Sequence, residues 1–264
     1  YAEDDIWRIA SMTKAITCTA IMQLVEQGKL NLDDPLSKHF PAFGKTGVLD
    51  TFNPIDSSFT TVPVTNPLTI RHLMSHTSGI YYPLFSPGKL QAIGTKIGSG
   101  GYGIAGVNTT EEMVNHLAMQ PLAHQPGTQW TYGLNMEVLG GVVAKVSGKQ
   151  LQTYFKDHIF SKLGIKDTWF YQPEYNHGRV VNLYAPMAPG KNVVNPDPNM
   201  AYPMMADHDH YAGGGGMSGT AGDYMTFIQM LLNGGSHNGS QILKPESVAL
   251  LATDQLAPMG IDMS

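Results

Sequence analysis

Ser11 and Lys14, three positions apart in Ser11-Met12-Thr13-Lys14, are the residues whose types and spacing speak most directly of chemistry. Residues three apart on a helix share a face, so a hydroxyl and an amine placed there meet without help from distant sequence. A serine hydroxyl is a weak nucleophile until a base takes its proton, and an uncharged lysine amine can be that base. If Ser11 opens the helix, the positive end of the helix dipole favours both the alkoxide and the oxyanion that follows attack. Spacing alone leaves a second reading open, in which Ser11 is an ordinary N-cap and Lys14 a solvated first-turn residue. The spacing recurs in Ser86-Pro87-Gly88-Lys89, but Pro87 and Gly88 make that copy a turn whose side chains have no fixed mutual orientation.

The pair needs a helix behind it. Ala15 to Gln27 carries Ile16, Ala20, Ile21, Leu24 and Val25 at helical spacing, with Gly28 as a stop. Further helices are expected from Thr69 as a cap through Met74, over Thr110–Ala118, Val138–Val146, Leu151–Leu163 and Thr220–Leu232, and over Pro245–Ala252. Asp34 is expected to cap a short helix from Pro35. Residues 40–66, 81–102 and 172–212 read as long loops rich in turn formers, with a strand candidate at Val180–Tyr184. No repeat or low-complexity linker divides the chain, so one domain over residues 1–264 is expected.

Composition removes several classes. The 264 residues hold 42% hydrophobic side chains, enough for a sizeable core. A net charge of −5 with 14% charged residues offers no basic face for nucleic acid. No apolar run reaches the roughly eighteen residues of a membrane span. Cys18 stands alone, so no internal disulfide forms, and it reads as a small core residue. Asp207-His208-Asp209-His210 alternates like a zinc motif, but Ala212 and Gly213 stand where further ligands would be required. His72 and His76 lack the glutamate of a metalloprotease helix, and Gly213–Gly216 lack the Lys-Ser/Thr of a phosphate loop. No metal and no cofactor is expected. The start at Tyr1 does not read as a leader, which leaves bacterial cytoplasm and periplasm undecided, as is the oligomeric state.

Several ordered motifs then resemble one family. Arg8-Ile9-Ala10-Ser11-Met12-Thr13-Lys14, Val25-Glu26-Gln27-Gly28-Lys29-Leu30 and Leu32-Asp33-Asp34-Pro35 look like the serine β-lactamase and penicillin-binding-protein superfamily. Leu68 to Gly79, with Met74-Ser75-His76-Thr77-Ser78-Gly79 at its end, is similar to the stretch that follows in the class C branch. Tyr132-Gly133-Leu134 with Val138-Leu139-Gly140 looks like that branch's tyrosine motif. Gly213 to Met217 before a helix fits the β-lactamase-like (family VIII) carboxylesterases in particular.

The resemblance implies an α+β, β-lactamase/transpeptidase-like fold, a helical region packed on an antiparallel sheet with the active site at their junction. The chain would hold mainly the helical part, its sheet strands truncated at both ends. It also implies that Ser11 forms an acyl-enzyme, that Lys14 accepts its proton, and that Tyr132 shuttles protons to the leaving group and activates water. The backbone N–H of Ser11 would contribute to the oxyanion site. Read by itself, Tyr132 is also compatible with a buried aromatic beside Trp130.

The departures decide between substrates. Leu134 stands where penicillin-binding members carry the Asn of Tyr-x-Asn, and Asn135 is one position late, which disfavours an amide contact and favours small carboxylic esters. Lys45-Thr46-Gly47 and His237-Asn238-Gly239 both imitate the family's third motif, and both read as decoys, one ahead of Tyr132 and the other in a turn between helices. The expected function is therefore a serine hydrolase of small esters. β-Lactamase or D-alanyl-D-alanine carboxypeptidase activity is the close alternative, and a catalytically silent penicillin-binding-like sensor the distant one.

Overall fold

The computed structural model describes residues 1–86, 88–99, 107–188, 191–194, 204 and 209–261. In chain order its regular elements are β1 (Trp7–Arg8), α1 (Thr13–Glu26), β2 (Val48–Phe52), β3 (Phe59–Val62), α2 (Ile70–Met74), α3 (Lys89–Lys96), α4 (Thr110–Leu117), α5 (Asn135–Ser147), α6 (Leu151–Phe155) and α7 (Ser161–Leu163). After these come β4 (Tyr184–Ala188), β5 (Lys191–Val194), β6 (Ser218–Gly219), α8 (Ala221–Leu232), β7 (Ser236–His237), β8 (Ser240–Gln241) and α9 (Pro245–Ala252). The fold is α+β and helix-rich, and the described strands form small antiparallel sheets of two strands each.

α5 is the hub. Its apolar residues Val138, Leu139, Val142 and Val143 are fully buried, and α1, α2, α4 and α6 pack around it. Such burial is worth about 1.5–3 kcal/mol for each large apolar side chain. Close approach depends on Gly141, where a Cβ would lie 2.6 Å from Val114 of α4 and 3.2 Å from Phe40. The helix ends where its sequence says it should, at Gly148 in the left-handed conformation (φ 70°). α2 and α4 begin with reciprocal caps, Thr69 with His72 and Thr109 with Glu112.

The periodicity-based helices are found in place, with one interruption: residues 151–163 run as α6, a π-helical turn over Lys156–Phe160, and α7, and still bury Tyr154, Phe155, Ile159 and Phe160. The expected loops are the main corrections. Residues 40–66 contain the β2–β3 hairpin, residues 81–102 contain α3, and residues 172–212 contain the β4–β5 hairpin, with Val180 making only a bridge to Ile6. Residues 100–102 lie outside the described set. β3 is short and mostly exposed, so it lacks the alternating apolar pattern that makes a strand legible. Asp34 is not the cap of the short 3-10 helix Leu36–Lys38; it accepts Asn31 N–H and Lys38 Nζ, closing the turn before it.

Two features bring distant sequence to the Ser-x-x-Lys turn. β1 pairs with β6 (Trp7 opposite Gly219, Arg8 opposite Ser218), and Ile9 N–H continues to the Met217 carbonyl at 3.0 Å. On its other side the same segment is tied to residues 179–181, through Ile6 N–H to the Arg179 carbonyl (2.8 Å) and Val181 N–H to the Ile6 carbonyl (3.0 Å). The approach to Ser11 is thus held from both flanks. Separately, residues 76–79 are laced to residues 123–131, with Ala123 N–H on the Gly79 carbonyl and Gly127 N–H on the Thr77 carbonyl, each at 2.8 Å.

Candidate active site

Ser11 lies in a 3-10 turn, Ala10–Met12, that runs directly into α1. It is therefore not the N-cap of the second reading left open by the spacing, since Met12 occupies the N-cap position and no side chain caps it. The turn keeps the one-turn offset: Lys14 Nζ donates to Ser11 Oγ at 3.1 Å. Ala10, just before, has φ 44°, a left-handed conformation that a residue with a Cβ adopts only at a cost.

Tyr132 arrives from 121 residues away, and its hydroxyl shares a 2.7 Å hydrogen bond with Ser11 Oγ. Lys14 Nζ also stands 4.9 Å from the centre of the Tyr132 ring, a cation–π distance. The three predicted residues converge at one exposed spot beside Trp130 and Met12. Tyr132 is half-buried within an aromatic wall, its ring centre 4.9 Å from His76, 5.5 Å from Tyr82 and 6.2 Å from Trp130.

The glycine run supplies the floor. Thr17 Oγ1 donates to the Gly213 carbonyl at 2.7 Å, Lys14 Nζ to the Gly214 carbonyl at 2.5 Å, and Met217 N–H to Thr13 Oγ1 at 3.3 Å, so one face of α1 is fastened along residues 213–217. Backbone approaches this closely only without side chains: a Cβ on Gly213 would sit 2.6 Å from the Met136 carbonyl, and one on Gly214 would sit 2.5 Å from Glu137 Oε1.

Three residues at this site escaped the sequence reading. Glu137, on α5, is buried; its Oε1 accepts Gly214 N–H at 3.1 Å, while Oε2 has no hydrogen-bond partner among the described residues. Burial pushes its carboxyl up to about 7, against the pull of Lys14 and of the Gly214 and Gly213 N–H groups. A signal for it existed, an acidic residue inside the otherwise apolar run Met136–Val143. His76 is buried and its imidazole is pushed down to about 4, chiefly by desolvation and then by the charge of Lys14. Burial also drives the Tyr82 phenol upward, with Glu137 and Tyr132 adding to it.

The displaced amide has an internal role. Leu134 is buried, and Asn135 next to it is fully buried, donating from Nδ2 to His76 Nδ1 at 2.8 Å and accepting from Ser78 Oγ. Lys45-Thr46-Gly47 is structural: Lys45 is exposed, Thr46 Oγ1 donates to the Ala118 carbonyl, and the Gly47 carbonyl accepts Leu122 N–H. His237-Asn238-Gly239 forms the turn of the β7–β8 hairpin between α8 and α9, with φ 47° at Asn238 and 78° at Gly239. Ser86 ends a 3-10 turn and Lys89 starts α3, and Pro87 between them lies outside the described residues. Of the Asp-His alternation, Asp207 and His208 also lie outside them, while Asp209 accepts Gln150 Nε2 at 2.5 Å and, through its carbonyl, Thr110 N–H. No helix among the described residues is long and apolar enough to cross a membrane.

Comparison with known proteins places this geometry. The lovastatin esterase of Penicillium rubens is 31% identical over 267 residues, covering 97% of this chain and 61% of its own length. Among solved structures, EstCE1, a hydrolase with promiscuous acyltransferase activity, superposes with a TM-score of 0.78 at 27% identity, over 94% of this chain and 63% of that one. The LovD6 mutant of the simvastatin synthase LovD from Aspergillus terreus gives 0.79 at 26% identity, over 97% and 58%. The chain therefore spans about three fifths of the length of the relatives it matches. The Beta-lactamase family matches over residues 1–260, and with the serine, lysine and tyrosine motifs in one site, the chain belongs to that family.

Proposed function

We propose that the protein is a serine hydrolase that cleaves small carboxylic esters through an acyl-enzyme on Ser11. The observation that carries this reading is the double engagement of Ser11 Oγ, by Lys14 Nζ at 3.1 Å and by the Tyr132 hydroxyl at 2.7 Å. A hydroxyl so placed can lose its proton as its oxygen attacks an acyl carbon. In the proposed sequence Ser11 Oγ bonds to the ester carbon while its proton passes to the Lys14–Tyr132 pair. The tetrahedral oxyanion collapses, the C–O bond to the alcohol breaks, and Tyr132 returns the proton to the departing oxygen. Water, deprotonated by the same pair, then releases the acid and restores Ser11. The Ser11 N–H is assigned to the oxyanion.

The ester preference is supported by the relatives named as esterases, the lovastatin esterase and Esterase EstB of Burkholderia gladioli, and by the inward position of Asn135. An amide side chain facing substrate would instead have favoured β-lactams or peptides.

A fluorophosphonate probe tests the nucleophile. The wild type is expected to acquire one adduct on Ser11, and Ser11→Ala none. Tyr132→Phe is expected to bind p-nitrophenyl acetate with little change and turn it over about 100-fold more slowly, the loss typical of a missing general acid/base. An unlabelled Ser11 under native conditions would mark a silent sensor, and faster turnover of nitrocefin than of the ester would make the substrate a β-lactam.

A further inference from the structure

Tyr132 lies in the irregular stretch between Leu122 and α5, where no helix or strand fixes its backbone. A side chain on such a segment is held only as firmly as the contacts around it. His76 supplies three of them. Its carbonyl accepts Thr131 N–H at 2.8 Å, its Nδ1 accepts Gly133 N–H at 3.3 Å, and its ring lies 4.9 Å from the Tyr132 ring at an angle of 34°. One residue thus engages the backbone on both sides of the tyrosine and its aromatic face.

The surrounding network also fixes where the His76 proton sits. Ser78 Oγ donates to Asn135 Oδ1, which turns Asn135 Nδ2 toward His76 Nδ1 at 2.8 Å. Asn135 Nδ2 and Gly133 N–H can only donate, so Nδ1 is an acceptor and the ring proton is on Nε2. Burial keeps the ring uncharged across the neutral range. The backbone of His76 is itself in the left-handed region, at φ 56°. Histidine and asparagine enter that region more readily than most residues with a Cβ.

We infer that His76 is a positioning residue for the reaction proposed above: through its Nδ1 and its ring face it holds Tyr132 with the phenol oxygen within hydrogen-bond reach of Ser11. It hydrogen-bonds to Thr131, Gly133 and Asn135 and not to Ser11, Lys14 or the Tyr132 hydroxyl. The inference rests on the hydrolase reading, and it adds a residue that this reading does not require.

The test is a set of variants in the full chain that carries this sequence, with p-nitrophenyl acetate kinetics measured beside circular dichroism at the assay temperature. His76→Ala is expected to lower kcat by about 10- to 100-fold, the scale of a misplaced catalytic group, with KM within about threefold. His76→Asn, which tolerates the same backbone and returns an acceptor through Oδ1, is expected to recover most of that loss. The decisive arm is a double-mutant cycle: once Tyr132→Phe has removed the group being positioned, His76→Ala is expected to lower kcat no further. If the alanine variant does not fold, His76→Gln, whose acceptor reaches the Nε2 end instead, takes its place in the cycle. A folded variant with wild-type kcat, or a loss that persists in full in the Tyr132→Phe background, overturns the inference and leaves the hydrolase reading standing. A wild type with neither ester turnover nor an adduct on Ser11 overturns the hydrolase reading, and this inference falls with it.

Discussion

Glu137 shows how a single buried side chain sets the electrostatics of this site. Its carboxyl is raised to about 7 in the folded chain from an ordinary value of 4.5, so between those pH values the folded protein holds a proton that the unfolded chain has lost. Stability contributed by this group therefore falls as pH rises through that window. Five histidines act in the opposite sense: His39, His72, His76, His124 and His158 are all lowered from 6.5, chiefly by desolvation, so below that value the unfolded chain takes up the protons and stability rises with pH. Glu137→Gln keeps an oxygen for Gly214 N–H and removes only the opposing carboxyl. The variant is expected to gain more stability than wild type between pH 5 and pH 8, by about 3 kcal/mol, the free energy of a shift of two to three pKa units. Urea unfolding at the two pH values checks this, and equal increments in the two proteins would place the buried charge elsewhere.

At the scale of elements, the site is a meeting of backbones more than of side chains. Gly133 follows Tyr132 and faces the chain just after residues 76–79; a Cβ there would strike the Ile80 carbonyl and come 2.7 Å from the Tyr81 Cα. Neither obstacle is the tip of a flexible side chain, so relief requires one strand of chain to move away from the other. Gly133→Ala is expected to cost about 1–3 kcal/mol of stability, as overpacking generally does, and to displace Tyr132 from Ser11. Thermal unfolding with the acylation rate measured on the same sample tests both effects, and a stable variant with unchanged acylation would show that this contact does not set the phenol. α1 contributes a rigid counterpart. Its Thr13, Lys14 and Thr17 are all bonded to residues 213–217, so α1 and the glycine run behave as one piece.

At the scale of the whole molecule, one apolar cluster extends in sequence from Ile9 to Leu243 and takes in residues of α1, α2, α4, α5, α6, α7 and α8. We propose that residues 1–264 form a single domain on that basis. Removing any one layer from such a cluster exposes its neighbours, and cooperative unfolding is the usual consequence. Trp7 and Trp169 report from the two segments that flank β6, and Trp130 reports from the loop beside Tyr132. Tryptophan fluorescence and far-ultraviolet circular dichroism are expected to give one coincident transition in urea. Two separated midpoints would divide the chain into independent units.

The Ser11–Lys14 offset, the helices with strong apolar periodicity and the class of chemistry were legible in the sequence because each rests on local rules: spacing along a turn, caps and stops, and motifs a few residues long. The β2–β3 hairpin was not, because a strand such as β3, with little to bury, carries little pattern. Nor did any local rule show that Asn135 turns inward to His76 or that Glu137 sits under the Gly214 peptide. Those contacts join residues 59 and 77 positions apart, and nothing in the intervening sequence records their distance. Tyr132 could be nominated by resemblance alone; its 2.7 Å approach to Ser11 was decided by tertiary packing, which alone brings together backbones that the chain keeps apart.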